Sequence, residues 1–357
     1  MENIMKSLLK LLGLASVSLF ALGHADTNAS SDSQTQTQTQ VITPSAGPRV
    51  ENAIDGIVTA DFIYFHAAQT GLDYAVNNFE GTLDPTPQGS IYYPNFEFDA
   101  GFRVGLGLDL AHDGWDIISN YTYLHTGTHT TSNTFETVQT ETYDNTVDQT
   151  QLSAARSAWR LKLDVIDLDL GRNYFISQYL ALRPFFGAKA AWNRQKFNTT
   201  ANSLDAGEPI YGNYQDQNAF SIGLRTGMNT SWQFTRNWNI YGNVAFAALS
   251  STVKNQYRST ETVGTNPSEF LANIKYSQNI IQPVVELAMG FGYDCYFNDD
   301  NYHFGITAGW EFQYWNNNNF FSQPIDGDDT DNVSSINYQR SGDLSLQGFD
   351  LRFRLDF

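Results

Sequence analysis

Residues 96–110 alternate between apolar and polar or glycine side chains at every position, fifteen residues without a break. Phe96, Phe98, Ala100, Phe102, Val104, Leu106, Leu108 and Leu110 occupy one set of positions. Glu97, Asp99, Gly101, Arg103, Gly105, Gly107 and Asp109 occupy the other. Successive side chains of a strand point to opposite faces, so this segment is a strand with one continuous apolar face. It is far longer than the ~5–6 residues usual in soluble sheets. The same period returns at 57–66, 115–126, 159–170, 180–192, 220–234, 238–246, 281–293, 302–314 and 349–357. That predicts ten strands, or twelve if region 69–95 holds a further hairpin. In 159–170 the apolar phase passes from Trp159, Leu161, Leu163 and Val165 to Ile166, Leu168 and Leu170. A β-bulge near Val165 and Ile166 would account for the change.

Connections alternate in length. Those after strands two, four, six and eight are short turns, and the others are long polar loops, including 193–217. An even number of strands with this alternation predicts an all-β, transmembrane, antiparallel up-and-down β-barrel with short periplasmic turns and long extracellular loops. A mean hydropathy of −0.37 does not oppose this, because only every second residue of a barrel strand meets lipid. Charged residues are sparse at 16%, aromatics reach 14%, and there are 27 glycines, a balance unlike that of a helical domain. An Arg or Lys at the bilayer midplane costs roughly 2–4 kcal/mol, so Arg103, Lys162, Arg225 and Arg352 are expected to point inward. Trp115, Trp232 and Trp238 fall at periplasmic strand ends, and Trp159, Trp192 and Trp315 at external ends with Trp310 nearby. That sorting matches two interfacial aromatic belts.

The ends of the chain agree. Residues 1–25 read as a signal peptide: Lys6 and Lys10, an apolar stretch from Leu8 to Leu22, then small residues before Asp26. Residues 26–50 form a Ser/Thr/Gln-rich leader, expected to be disordered, and 51–357 form the barrel. The last strand puts Phe349, Leu351, Phe353, Leu355 and Phe357 on one face and ends on phenylalanine, similar to the assembly signal of bacterial outer-membrane barrels. The expected location is the bacterial outer membrane, reached through the periplasm. A single cysteine, Cys295, excludes an internal disulfide. The net charge of −18 argues against a nucleic-acid partner.

Several stretches resemble the Legionella-type major outer membrane protein family. They are Asp61-Phe62-Ile63-Tyr64-Phe65 with Gly71-Leu72-Asp73-Tyr74-Ala75, then Gly101-Phe102-Arg103-Val104-Gly105-Leu106-Gly107 continuing through His112-Asp113-Gly114-Trp115-Asp116 to Tyr121-Thr122-Tyr123-Leu124-His125, and Leu180-Ala181-Leu182-Arg183-Pro184-Phe185-Phe186-Gly187 followed by Trp192. The resemblance spans about residues 55–357 and implies a pore-forming outer-membrane protein, with surface and adhesion roles in some members.

From the residues alone, two readings stand side by side. The inward face carries Glu97, Asp99, Arg103, Arg160, Lys162, Asp164, Arg183, Lys189, Arg225, Glu286, Glu311, Asp350, Arg352 and Arg354. These either line a narrow water-filled, porin-like pore with modest ion selectivity or pair and plug a barrel that only anchors its loops. Ten strands at ~4.8 Å spacing and ~40° tilt give a backbone radius of about 10 Å, which Arg-length side chains can fill. Taken with the family resemblance, the expected activity is passive diffusion of ions or small solutes. The alternative is a non-conducting adhesin. An outer-membrane hydrolase using His125 and His129 with Glu136 or Asp144 is the remaining rival. No enzyme activity, cofactor or resident metal is expected. The acidic stretch 326–331 reads as a solvated loop, with a loosely held Ca²⁺ or Mg²⁺ as its alternative. Expected partners are outer-membrane lipid and lipopolysaccharide, the barrel-assembly machinery, permeating solutes or ions, a host or surface ligand at the loops, and a homo-oligomer.

Overall fold

The computed structural model describes residues 54–77, 90–110, 114–133, 138–139, 152–203, 210–262, 269–298, 301–325, 336–339 and 341–357. Residues 1–50, read above as signal peptide and leader, and Glu136, Asp144 and the acidic stretch 326–331 lie outside these. Ten strands form the barrel: β1 (Ile54–Gln69), β2 (Phe98–Leu110), β3 (Trp115–Asn133), β4 (Leu152–Arg172), β5 (Leu180–Ser203), β6 (Ile210–Gln233), β7 (Trp238–Thr262), β8 (Glu269–Phe297), β9 (Tyr302–Asn319) and β10 (Gly342–Asp356). Each pairs antiparallel with its neighbour in sequence, and β1 closes on β10 from Ile57↔Asp356 to Gln69↔Leu344. Closure removes both sheet edges, a requirement of any sheet spanning lipid.

Among its described residues, region 69–95 adds no further barrel strand. Ala75–Asn77 and Ser90–Tyr92 pair in a small separate sheet with Val138–Gln139, so the barrel has ten strands rather than twelve. Another short hairpin, Ser322–Ile325 with Ile336–Gln339, lies between β9 and β10, and Tyr174–Phe175 pairs with β5 in the turn after β4.

The outer surface is apolar because its surroundings are. Leu106 is 68% exposed, Leu224 79% and Ile281 75%, and Phe62, Phe102, Phe186, Met289 and Phe353 are exposed beside them. Along β2 the apolar face from Phe98 to Leu110 rises about 30 Å at ~40° tilt, matching the hydrocarbon core. Leu106→Arg should therefore destabilise the inserted barrel by about 2–4 kcal/mol. Urea titration in lipid vesicles, followed by heat-modifiable gel mobility, measures this; an unchanged midpoint would place Leu106 outside the bilayer.

Three expectations need correction. β4 carries no bulge at Val165 and Ile166, since its registers to β3 and β5 run unshifted through both residues. Trp159, Leu161, Leu163 and Val165 simply continue the inward face, while Ile166 and Leu168 are exposed on the outside. The apolar phase changed because apolar residues line the inside of the external half and the outside of the membrane half. Trp159 and Trp315 are accordingly buried inside the barrel and do not belong to the external belt, whereas Trp192 and Trp310 remain exposed on the outer face. Finally, the polar stretches 193–217 and 247–280 are largely strand among the described residues, with β5 running to Ser203, β6 starting at Ile210, β7 running to Thr262 and β8 starting at Glu269. Strands beyond the bilayer have water outside, so nothing imposes an apolar face there and the periodic signal fades.

Candidate functional site

Charged groups meet inside the membrane half. On one wall, the Arg103 guanidinium (β2) forks onto Glu311 (β9) at 2.9 and 3.1 Å, lies 3.4 Å from Asp61 (β1), and donates through Nε to the Thr122 hydroxyl at 3.0 Å. Arg352 of the closing strand grips the other side of Asp61 at 2.8 and 3.0 Å. Gly101, Gly105 and Gly107 flank Arg103 on the inner face of β2; a Cβ at Gly105 would collide with the Asn120 carboxamide and the Thr59 hydroxyl. The glycines admit inward side chains from β1 and β3 and leave Arg103 room to cross to β9.

The opposite wall holds a second network. Lys189 (β5) is 2% exposed and binds Asp167 (β4) at 2.8 Å and Glu286 (β8) at 2.6 Å. Arg225 (β6) pairs with Glu286 at 2.7 Å and with Asp169. Its guanidinium also sits 4.8 Å from the Phe185 ring, and Lys189 lies 5.5 Å from that of Trp315. Arg183 (β5) clamps Asp116 (β3) through Nε at 2.7 Å and a second contact. With Asp350 included, five cations face seven carboxylates across this level. Nearer the periplasmic end, His303 bridges Asp356 and Asp294 at 2.9 Å each, Arg354 binds Asp356 at 2.8 Å, and Asn239 donates to Asp294 at 2.7 Å.

A cavity of about 320 Å³ runs between these walls, from Asn173, Phe175 and Gln233 near the periplasmic turns up to Leu124, Leu163 and Leu346. There it meets a closed external half. Ile63, Phe65, Leu161, Leu163, Leu249 and Trp315 belong to one buried inward cluster, which Phe321 joins from the end of β9. Facing them on β5, β6 and β8 are carboxamides, and one asparagine ties these together. Asn318 Oδ1 accepts from Asn193 at 2.6 Å and Gln282 at 3.2 Å, its carbonyl accepts from Gln217 at 2.7 Å and Gln195 at 3.3 Å, and its Nδ2 donates to Gln69 at 2.8 Å. The chain reaches this position by turning at Asn317, whose φ of 48° lies in the left-handed region that asparagine tolerates. Residues 316–321 thereby fold across the lumen. The backbone of Phe320 is held in turn by Gln217, Asn255 and Tyr276.

Of the residues expected to line the lumen, Arg103, Arg183, Lys189, Arg225, Glu286, Glu311, Asp350, Arg352 and Arg354 point inward and pair as described, except Asp350, which is buried beside them. Asp99 lies nearer the external end, where it accepts from Thr126. Glu97 precedes β2 and is exposed. Arg160, Lys162 and Asp164 face outward, the reverse of expectation. They sit in the external half, where an outward charge meets water and the bilayer cost does not apply. The residues expected to line the lumen did not include Asp61, Asp116, Asp167, Asp169 or the Asn318 hub, nor Asp294, His303 and Asp356, although these last three stand opposite the apolar face of their strands in the sequence pattern. For the acids a signal existed, since each shares the parity of its strand's inward residues; for Asn318 there was none. His125 and His129 both lie on the outward side of β3; His125 is 3.6 Å from Asp164 and its ring lies tilted against Tyr123, 3.9 Å between centroids. Cys295 is on the outward side of β8 and half-buried.

Residues 47–357 match the family model described as Legionella pneumophila major outer membrane protein precursor. No curated protein matches the chain. Similar solved structures include the outer membrane protease OmpT from Escherichia coli, at 12% identity over 85% of this chain and 96% of that one, with a TM-score of 0.42. The translocator domain of the autotransporter NalP from Neisseria meningitidis aligns at 10% identity over 86% and 88%, TM-score 0.33. A Pseudomonas aeruginosa FadL homologue aligns at 7% identity over 86% and 90%, TM-score 0.27. Such scores are too low to transfer more than outline, and the architecture rests on the pairing registers of the chain itself.

Proposed function

Since the chain belongs to the Legionella major outer membrane protein family and is an integral β-barrel of the outer membrane, we propose that it is a gated, porin-like pore for small ions. The charged cavity is the conducting part, and residues 316–321 are the gate, closed in the conformation described. The observation that carries this reading is the nature of the closure. Asn318 is held by carboxamide hydrogen bonds from four strands, and such bonds exchange with water at a net cost of only about 1 kcal/mol each. Below the gate, the excess of carboxylates over cations sets a preference for cations.

A second reading draws on the apolar cluster around Phe65, Leu161, Leu249 and Trp315. On this view the external half is permanently filled, and the barrel anchors loops that bind a surface ligand. Planar-bilayer recording of purified protein separates the two. A gated pore gives discrete steps with a cation-directed reversal potential, and Glu286→Gln, which removes one carboxylate, moves that potential toward zero. Silence at every voltage would leave only the anchor. Neither reading includes a catalytic step; among the described residues His125 lies 3.6 Å from Asp164, and both are on the outward side of their strands.

A further inference from the structure

Four cations stand together on the outer face of the barrel just beyond Trp192. Arg160 of β4 is the direct register partner of Lys196 on β5, and Lys162 is that of Arg194. All four are exposed on the outside. Side chains directly opposed across antiparallel strands have Cβ atoms about 4.5–5.5 Å apart, and like charges there repel. Two such pairs lie side by side in a chain whose 20 Lys and Arg are outnumbered by 38 Asp and Glu. Nearby acids only partly answer them. Asp216 of β6 reaches Lys196 at 2.8 Å, and Asp164 is bound by the Tyr121 hydroxyl at 2.8 Å with His125 at 3.6 Å. No carboxylate among the described residues forms an ion pair with Arg160, Lys162 or Arg194. A surface selected for stability alone would not oppose its scarce cations in this way. One that holds an anion would.

Depth identifies the anion. Trp192 opposes Asp164 and lies tilted against Phe220 at 5.4 Å between ring centroids, marking the external belt. At ~40° tilt each two-residue step rises about 5 Å, so the cation pairs stand about 5 and 10 Å above that belt, at headgroup level. Directly below, Ile166, Leu168 and Phe186 form an exposed apolar strip that acyl chains would cover. We propose that Arg160, Lys162, Arg194 and Lys196 form a binding site for the phosphates of lipid A, the phosphorylated glycolipid that anchors lipopolysaccharide, with its acyl chains on this strip. Two guanidinium forks and two ammonium groups suit a diphosphorylated headgroup. The site depends on the membrane location of the barrel and is independent of whether the lumen conducts.

The test compares the full chain with the R160Q/K162Q/R194Q/K196Q variant, both refolded in detergent and checked by heat-modifiable mobility. Native mass spectrometry with diphosphoryl lipid A should show binding by the native protein and a loss of roughly 100-fold in the variant. In detergent free of lipid A the variant should melt no lower than the native protein, because repulsion has been removed; added lipid A should raise only the native midpoint. K254Q/R258Q, which removes outward cations of β7, should bind as the native chain does. If the fourfold variant fails to refold, R160Q/R194Q removes one cation from each pair and gives the same readout. Undiminished lipid A binding by the variants would overturn the site. So would equal displacement by excess inorganic phosphate, which would indicate a free-anion site, or equal binding to phosphatidylglycerol vesicles, which would indicate general anionic attraction.

Discussion

Lys189→Met is expected to cost the folded barrel about 3–5 kcal/mol, the range for leaving buried charges without their partner. Lys189 lies between Asp167 and Glu286, at 2.8 and 2.6 Å, with almost no exposed surface. Its removal leaves Arg225 alone among Asp167, Asp169 and Glu286, three carboxylates gathered around one cation. Methionine matches the length of the lysine stem, so packing against Trp315 is largely kept and the loss reports on charge. Glu286→Gln in the native background should cost much less, because it leaves two cations facing two carboxylates. Adding Glu286→Gln to Lys189→Met should recover part of the loss, and a double-mutant cycle by urea titration in micelles measures the coupling. Additive effects would mean that the network does not act as a unit.

Asn318→Ala is expected to open the barrel. The substitution deletes the acceptor used by Asn193 and Gln282 and the donor to Gln69, leaving three buried carboxamides short of a partner. Each such group costs about 1–3 kcal/mol while dry, but the carboxamides regain water once the segment lifts. A net shift of about 2–3 kcal/mol toward the open state raises its population roughly 30–150-fold. Single-channel recording would register this as longer and more frequent openings with unchanged step size, because the charged cavity below is untouched. If Asn318→Ala and deletion of residues 316–321 are both as silent as the native chain, the apolar cluster itself closes the lumen and the anchor reading holds.

How far the fold was legible follows from what each strand face touches. Phe96, read as part of the apolar face of β2, precedes the strand and packs edge-on against the buried Trp159. Phe98 to Leu110 could be read directly, since lipid outside and a charged cavity inside impose opposite demands on neighbouring residues. The same holds for the pairing of the closing strand with β1, because a barrel must join its ends. β4 was legible only in part. Trp159, Leu161 and Leu163 look like a lipid face in sequence and are an interior one, and with no knowledge of where the bilayer stopped a bulge was the simplest repair. The extended portions of β5 to β8 were read as loops for a related reason. Lys254 and Arg258 stand in water on strands that have no need of periodic hydrophobicity.

The candidate site divides in the same way. Arg103, Arg225 and Arg352 could be assigned to the interior from cost alone, whereas Arg160 and Lys162 could not, because that cost vanishes a few ångströms above the lipid. Sequence by itself determined the compartment, an even strand number of ten or twelve and most of the lipid-facing surface, since the bilayer acts on every second residue and writes its demand locally. Only the tertiary structure decided which acids meet which bases, that Asn318 gathers carboxamides from four strands, and that four cations share one outer patch. Those contacts join strands far apart in the chain, and no local pattern records which residue a curved wall will bring opposite another.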